Sequence, residues 1–75
     1  MQELDDLFES LRSSLPAIVA RDKVEDYLGG AIKAKTLANL DSKGTGPKRF
    51  RMGRKIVYKR EDLIDFIKLR TVSLH

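Results

Sequence analysis

Glycine and proline divide this chain of 75 residues into short segments, and their positions limit the possible folds more than any other feature. Proline pushes the preceding residue out of the α-helical region, and glycine readily adopts the left-handed conformation that ends many helices. These residues are Pro16, Gly29, Gly30, Gly44, Gly46, Pro47 and Gly53. The longer segments between them have room for one or two short elements, and a length of 75 residues predicts a single small domain.

The segment before Pro16 has the spacing of an amphipathic helix over residues 3–14. Acidic residues occupy its polar faces and favour a helix N-terminus. Its apolar stripe consists of Leu4, Leu7, Phe8, Leu11 and Leu15. A small chain needs apolar area for its core, so this N-terminal unit, residues 1–16, is predicted to pack on the domain or to serve association.

A second helix is predicted over residues 21–28, with a glycine of the pair at 29 and 30 as its left-handed cap. Its inward residues are Val24, Tyr27 and Leu28. Asp22 lies in its first turn, where an acidic side chain is favourable. The N-cap position holds Ala20, so a side-chain cap is not expected.

A third helix is predicted over residues 34–43. Leu37 and Leu40 point inward, and Gly44 takes the position just after the helix. Lys33 occupies the N-cap position and again offers no capping oxygen.

Residues 48–59 show period-two patterning on both sides of Gly53 and Arg54, which predicts a β-hairpin. The side chains expected to face the core are Phe50, Met52, Ile56 and Tyr58. Those expected to face solvent are Arg51, Lys55, Val57 and Lys59. Val57 is the apolar exception among them. It could pack against the N-terminal helix, touch deoxyribose or contact a neighbouring protomer.

A last helix is predicted to begin at Glu61 and Asp62. Its apolar stripe is Leu63, Ile64, Phe66 and Ile67. The main domain is therefore expected to cover residues 17–70, and residues 71–75 are expected to form a flexible tail.

Charge is distributed unevenly along the chain. Residues 1–30 contain three basic and seven acidic side chains, a net charge of −4, whereas residues 31–60 contain ten basic and one acidic, a net charge of +9. Such asymmetry is typical of a domain that offers one face to a polyanion. Lysine and arginine can also protect exposed strands from edge-to-edge pairing, but one or two would suffice for that purpose.

Over residues 19–69 the chain resembles the excisionase-like and AlpA-like branch of the MerR-type winged-helix DNA-binding domains. The motifs that carry the resemblance are "VEDYLG" (24–29), "TLANL" (36–40), "GTGP" (44–47), "MGRKIVYKREDL" (52–63) and "IDFI" (64–67). The fold expected is α+β, a small winged helix-turn-helix domain with three core helices and a two-stranded β-hairpin wing. The N-terminal amphipathic helix is an addition to it.

The resemblance implies that residues 34–43 are a recognition helix and residues 48–59 a wing that contacts the DNA backbone or minor groove. It further implies a bacterial, cytoplasmic, nucleoid-associated factor of a prophage or other mobile element. Such a factor acts as an excisionase, a transcriptional regulator or both. Copies on adjacent sites, or an integrase, would be its protein partners.

Candidate DNA contacts follow from the exposed positions of the third helix and from the basic hairpin, because amide, hydroxyl and ammonium groups can bind base edges and cations bind phosphates. The candidates for reading bases are Lys35, Thr36, Asn39, Ser42 and Lys43. The candidates for holding the backbone are Lys33, Lys48, Arg49, Arg51, Arg54, Lys55 and Lys59.

Other classes of function receive less support from the sequence. The chain has no cysteine, a single histidine at position 75, and neither a phosphate-binding glycine loop nor a zinc motif, so we expect no enzyme activity, cofactor, metal or small-molecule substrate. Apolar runs are too short to span a membrane, and the acidic start is unlike a signal peptide. Two alternatives stay open: a protein-interaction adaptor that works through the N-terminal helix, and an RNA-binding module that uses the same basic hairpin.

Overall fold

Four helices and one three-stranded antiparallel sheet make up residues 2–74, the part of the chain described by the computed structural model. The helices are α1 (Gln2–Ser14), α2 (Arg21–Tyr27), α3 (Ala34–Ser42) and α4 (Arg60–Lys68). The strands are β1 (Ile18–Ala20), β2 (Phe50–Met52) and β3 (Lys55–Lys59). The α+β class is therefore confirmed. Of the predicted N-terminal unit and tail, Met1 and His75 lie outside the described residues.

The ends of the helices lie within two residues of the predicted positions. Helix α3 ends in a glycine motif: the amide of Thr45 donates to the Leu40 carbonyl at 3.0 Å, and the amide of Gly44 donates to the Asp41 carbonyl at 3.1 Å. Gly44 has a φ of 75°, the left-handed conformation that this motif requires. The N-cap residues Ala20 and Lys33 make no side-chain capping bond, as their residue types predict.

The sheet has one strand more than predicted. Strand β1 begins two residues after Pro16 and pairs with β3, so the strand order is β1–β3–β2 and β3 is central. Ala20 lies opposite Val57, and Val19 lies opposite Tyr58. The predicted two-stranded hairpin is thus corrected to a three-stranded sheet. A three-residue strand is too short to show a period in the sequence.

The predicted orientation of β2 is wrong. Met52 and Lys55 flank the two-residue turn and are cross-strand partners, as are Phe50 and Val57. Directly opposed residues in an antiparallel pair lie on the same face, so Phe50 and Met52 share the outer face with Lys55 and Val57. Phe50 is 39% exposed and Met52 is 59% exposed. Arg51 is exposed, as predicted, but it lies opposite Ile56 and not on the face that carries Lys55 and Lys59.

The position of Val57 explains its apolar character. It belongs to the outer face, as predicted, yet only 5% of it is exposed. Because β3 is the central strand, Val57 lies between Ala20 of β1 and Phe50 of β2. Neighbouring strands therefore cover it, and its burial needs neither DNA nor a second protomer.

The core lies between the inner face of the sheet and the helices. Its most completely buried side chains are Tyr58, Leu37, Leu63, Ile64, Val19 and Val24. Helix α1 contacts α4 and contributes Phe8 to the core. Leu15, the residue after the helix, is also part of the core. Tyr27, predicted to face inward, is 45% exposed because the end of α2 borders an open groove rather than the closed core.

Within residues 2–74, no helix combines the length and the apolar composition that a membrane span requires.

Candidate nucleic-acid interface

Helix α3 presents its predicted base-reading side chains on the surface. Leu37 is completely buried and Leu40 packs against the core, which orients the helix. The exposed set comprises Lys35, Thr36, Asn39, Ser42 and Lys43. The hydroxyl of Ser42 donates to the backbone carbonyl of Asn39 at 2.8 Å, so it would have to rotate to donate to a base. Asn39 is exposed, and its side-chain amide has both the donor and the acceptor that bidentate pairing with adenine requires.

Thr36 stands apart from the other four residues. It lines an apolar groove of about 720 Å³ bounded by α1, α2, α3 and α4. The groove wall also includes Leu7, Tyr27 and Leu40. Thr36 and Leu40 are four residues apart and therefore lie on the same side of α3. Thr36 thus borders an apolar depression, unlike the other exposed residues of α3.

All seven predicted backbone-binding cations are exposed, and they fall into groups with different surroundings. Lys48 and Lys59 lie beside the Phe50 ring, with their ammonium nitrogens 5.6 Å and 5.5 Å from its centroid. A cation over an aromatic face is attracted to it. The ring of Phe50 therefore holds two positive charges together on the outer face of the sheet.

Two arginines, Arg51 and Arg54, lie at or beside the tip of the hairpin. Gly53 has a φ of 63°, and Arg54 follows it in the turn. The Nε of Arg51 donates to the Gly53 carbonyl at 3.4 Å, a long hydrogen bond that leaves most of the guanidinium available. Arg49 precedes β2 and is exposed. The tip therefore offers guanidinium groups beside a residue with no side chain, where a backbone phosphate or a narrow groove could approach.

Two of the seven cations have carboxylate partners within the protein. Lys55 forms an ion pair with Asp22 in the first turn of α2, and Lys33 lies 3.5 Å from a carboxylate oxygen of Glu25. The hydrogen bond from Lys55 lowers the pKa of Asp22. Both pairs are exposed and contribute little to stability, but they neutralise part of the positive charge. Asp22 and Glu25 are thus each paired with a lysine.

A buried polar network at the end of α3 was missed by sequence reasoning. One carboxylate oxygen of Asp41 accepts a hydrogen bond of 2.6 Å from Arg21 and one of 2.7 Å from the hydroxyl of Tyr58. Arg21 also donates to the Tyr58 oxygen at 3.2 Å, which closes a triangle. Burial of the phenol raises the pKa of Tyr58 to about 12. The signal in the sequence was Asp41 itself, the one acidic residue among residues 31–60.

The described residues offer no arrangement suited to binding a metal. Within residues 2–74, no three His, Cys, Asp or Glu side chains lie close enough together to hold an ion. The arrangement that the site does present is a polar helix surface, α3, next to a sheet that carries exposed cations. Chemically, this arrangement can form hydrogen bonds and can pair its positive charges with anions.

Comparison with known proteins adds no relative. No protein-family model matches the chain, and neither a curated protein nor a solved structure does. The role of this surface is therefore argued from its own residues and contacts.

Proposed function

We propose that this chain is a winged helix-turn-helix protein that binds double-stranded DNA, with α3 in the major groove and the β2–β3 hairpin on the sugar-phosphate backbone or in the minor groove. The observation that carries the proposal is the linkage of two surfaces. The last turn of α3 is hydrogen-bonded through Asp41 to Tyr58 of the hairpin. A helix whose exposed polar side chains suit base edges is thus fixed to the strand pair that carries cations suited to phosphates.

Helices α2 and α3 fit the two helices of a helix-turn-helix. They contact each other and are joined by the six residues 28–33, which include two glycines with positive φ. In such motifs the second helix enters the major groove. The sheet supplies the wing, with β2 at its edge. The base-reading set proposed for α3 is Lys35, Asn39, Ser42 and Lys43, with Thr36 at its margin.

The cations that have no carboxylate partner within the protein set the number of DNA phosphates that we expect it to bind. Five of the seven hairpin and turn cations have no carboxylate within ion-pair distance among residues 2–74: Lys48, Arg49, Arg51, Arg54 and Lys59. If each neutralises one phosphate, the logarithm of the binding constant should fall with the logarithm of salt concentration with a slope of about −4.5. Lys33 and Lys55 would add to this slope only if DNA displaced their partners.

The biological role that we propose, from the resemblance of residues 19–69, is that of a mobile-element factor that acts in excision, in transcriptional control or in both. Either role requires preference for particular sites. Copies on adjacent sites or an integrase would be the protein partners of that complex.

The decisive experiment is selection of binding sites from a random pool of duplex DNA. Fluorescence anisotropy should then compare the selected duplex with random duplex DNA, duplex RNA and single-stranded DNA over a range of salt concentrations. We expect preference for one duplex DNA motif and a slope of about −4.5. Tighter binding to RNA would favour the RNA-binding alternative. A slope near zero would contradict binding through the hairpin cations and would favour the adaptor alternative.

A further inference from the structure

We propose that Asp41 is a positioning residue that sets the orientation of α3 relative to the sheet, and thereby controls the sequence specificity of DNA binding. The inference rests on the proposed function for its consequence, although not for its geometry. Asp41 lies in the last turn of α3 and is only 4% exposed.

One oxygen of this carboxylate joins three elements. Arg21 is the first residue of α2, and Tyr58 is a completely buried residue of the central strand β3. Both donate to the same Asp41 oxygen, at 2.6 Å and 2.7 Å. Charge-assisted hydrogen bonds are short and directional, so the triangle restricts how α3 can rotate or slide against α2 and β3. Apolar packing alone would restrict these movements less.

The second oxygen of Asp41 extends the same constraint to the chain that enters β2. This oxygen is buried and has no hydrogen-bond partner within residues 2–74. A Cβ atom placed on Gly46 would lie 2.1 Å from it and 3.3 Å from the Asp41 amide nitrogen. Gly46 does not have a positive φ, so the absence of a side chain there serves close approach rather than backbone conformation. The joint between α3 and the hairpin therefore packs directly on the carboxylate.

A buried carboxylate is a costly way to gain stability, because ionic groups lose hydration when they are buried. The carboxylate nevertheless joins α3 to β3, the central strand of the sheet and one strand of the basic hairpin. Positioning therefore explains the presence of this buried carboxylate better than a gain in stability does. Its partners lie on α2 and β3, and the placement of α3 relative to these elements decides which bases α3 can reach.

The test compares Tyr58→Phe with Tyr27→Phe. The first variant keeps the core ring and removes the hydroxyl that donates to Asp41, whereas the second removes an exposed hydroxyl from α2. Residual dipolar couplings of the free protein should show a changed orientation of α3 relative to the sheet in Tyr58→Phe alone. The affinity ratio between the selected duplex and random duplex should fall about fivefold or more, the equivalent of one lost base contact, while the salt slope stays the same.

A second variant, Gly46→Ala, leaves all three network residues chemically intact and acts by crowding Asp41, above all its carboxylate. It should reproduce the change in couplings and the loss of selectivity, so the inference can be tested even if Tyr58→Phe folds poorly. Unchanged couplings in both variants would overturn the inference. If the wild-type protein does not select a DNA site, the proposed function fails, whereas the couplings still decide whether Asp41 orients α3.

Discussion

Tyr58 shows how a single side chain serves both the core and a polar network. Its ring is completely buried opposite Val19, while its hydroxyl donates to Asp41 and accepts from Arg21. Burial raises its pKa from 10.0 to about 12, because the phenolate would lose hydration and would lie next to a carboxylate. Ionisation of this residue is therefore linked to unfolding.

We expect the free energy of unfolding to fall as pH rises from 10 toward 12. The unfolded chain releases the Tyr58 proton near pH 10, whereas the folded chain holds it to about pH 12, so alkali favours the unfolded state across that interval. Urea unfolding at a series of pH values measures the effect. Tyr58→Phe should remove this part of the decline, and the exposed-site control Tyr27→Phe should retain it. Equal declines in the two variants would contradict the assignment.

Substitutions at Asn39 and Arg54 should distinguish base reading from backbone binding. Asn39→Ala should weaken binding by about 1–3 kcal/mol for sites with one particular base pair and leave the salt slope unchanged. Arg54→Ala should weaken binding to all sequences alike and reduce the slope by about 1, because one phosphate contact is lost. Anisotropy titrations on single-substituted sites measure both. If Asn39→Ala discriminates among bases as well as the wild type, α3 is not the reading helix.

At the scale of the elements, the turn of the hairpin decides which residues share a face. A two-residue turn at Gly53 and Arg54 makes Met52 and Lys55 cross-strand partners. Gly53 has positive φ and Arg54 does not, which agrees with a turn whose first central position favours glycine. The distribution of cations over the two faces of the hairpin thus follows from the turn, although core packing still determines which face is buried.

Gly53→Ala should lower the free energy of unfolding by about 1 kcal/mol, because an L-residue with positive φ brings its Cβ close to its own backbone. A Cβ on Gly53 would meet no other atom within 4 Å, so the cost is conformational and not a clash. Urea unfolding measures it. A synthetic chain with D-alanine at position 53 is the matched control and should not show this loss. If both alanine forms destabilise equally, the positive φ is not the cause.

The spacing of residues close together in the sequence predicted some helices and strands better than others. Helix α3 could be placed because Leu37 and Leu40 have helical spacing and Gly44 marks its end. The phase of β2 could also have been derived, since a two-residue turn already requires Met52 and Lys55 to share a face. Strand β1 could not, because three residues contain too little pattern and its pairing partner lies about 40 residues away. The Asp41 network likewise depends on residues distant in sequence.

At the scale of the whole molecule, a chain of 75 residues has little stability to spare, about 4–11 kcal/mol at the usual value per residue. Helix α1 therefore contributes essential core area. It contacts α4 and buries Phe8, whereas Leu7 on the same helix is 50% exposed at the rim of the groove. The apolar stripe recognised in the sequence is thus divided between the core and an open groove.

Phe8→Ala should destabilise the protein by about 3–5 kcal/mol, the usual cost of removing a buried aromatic ring. Leu7→Ala, a change in the same helix at a half-exposed position, should cost much less. Urea unfolding of the two variants gives the comparison. Similar losses in both would mean that α1 is not held mainly through Phe8.

Sequence alone determined the short helices, the glycines that follow α2 and α3, the hairpin and the concentration of positive charge between residues 31 and 60. These properties depend on neighbours within a few positions, where spacing and backbone conformation act directly. Tertiary structure alone decided that β3 is central, that Val57 is covered, and that Asp41 joins α3 to Arg21 and Tyr58. These outcomes depend on which distant segments meet, because burial and hydrogen-bond partners are properties of the assembled layers and not of local sequence.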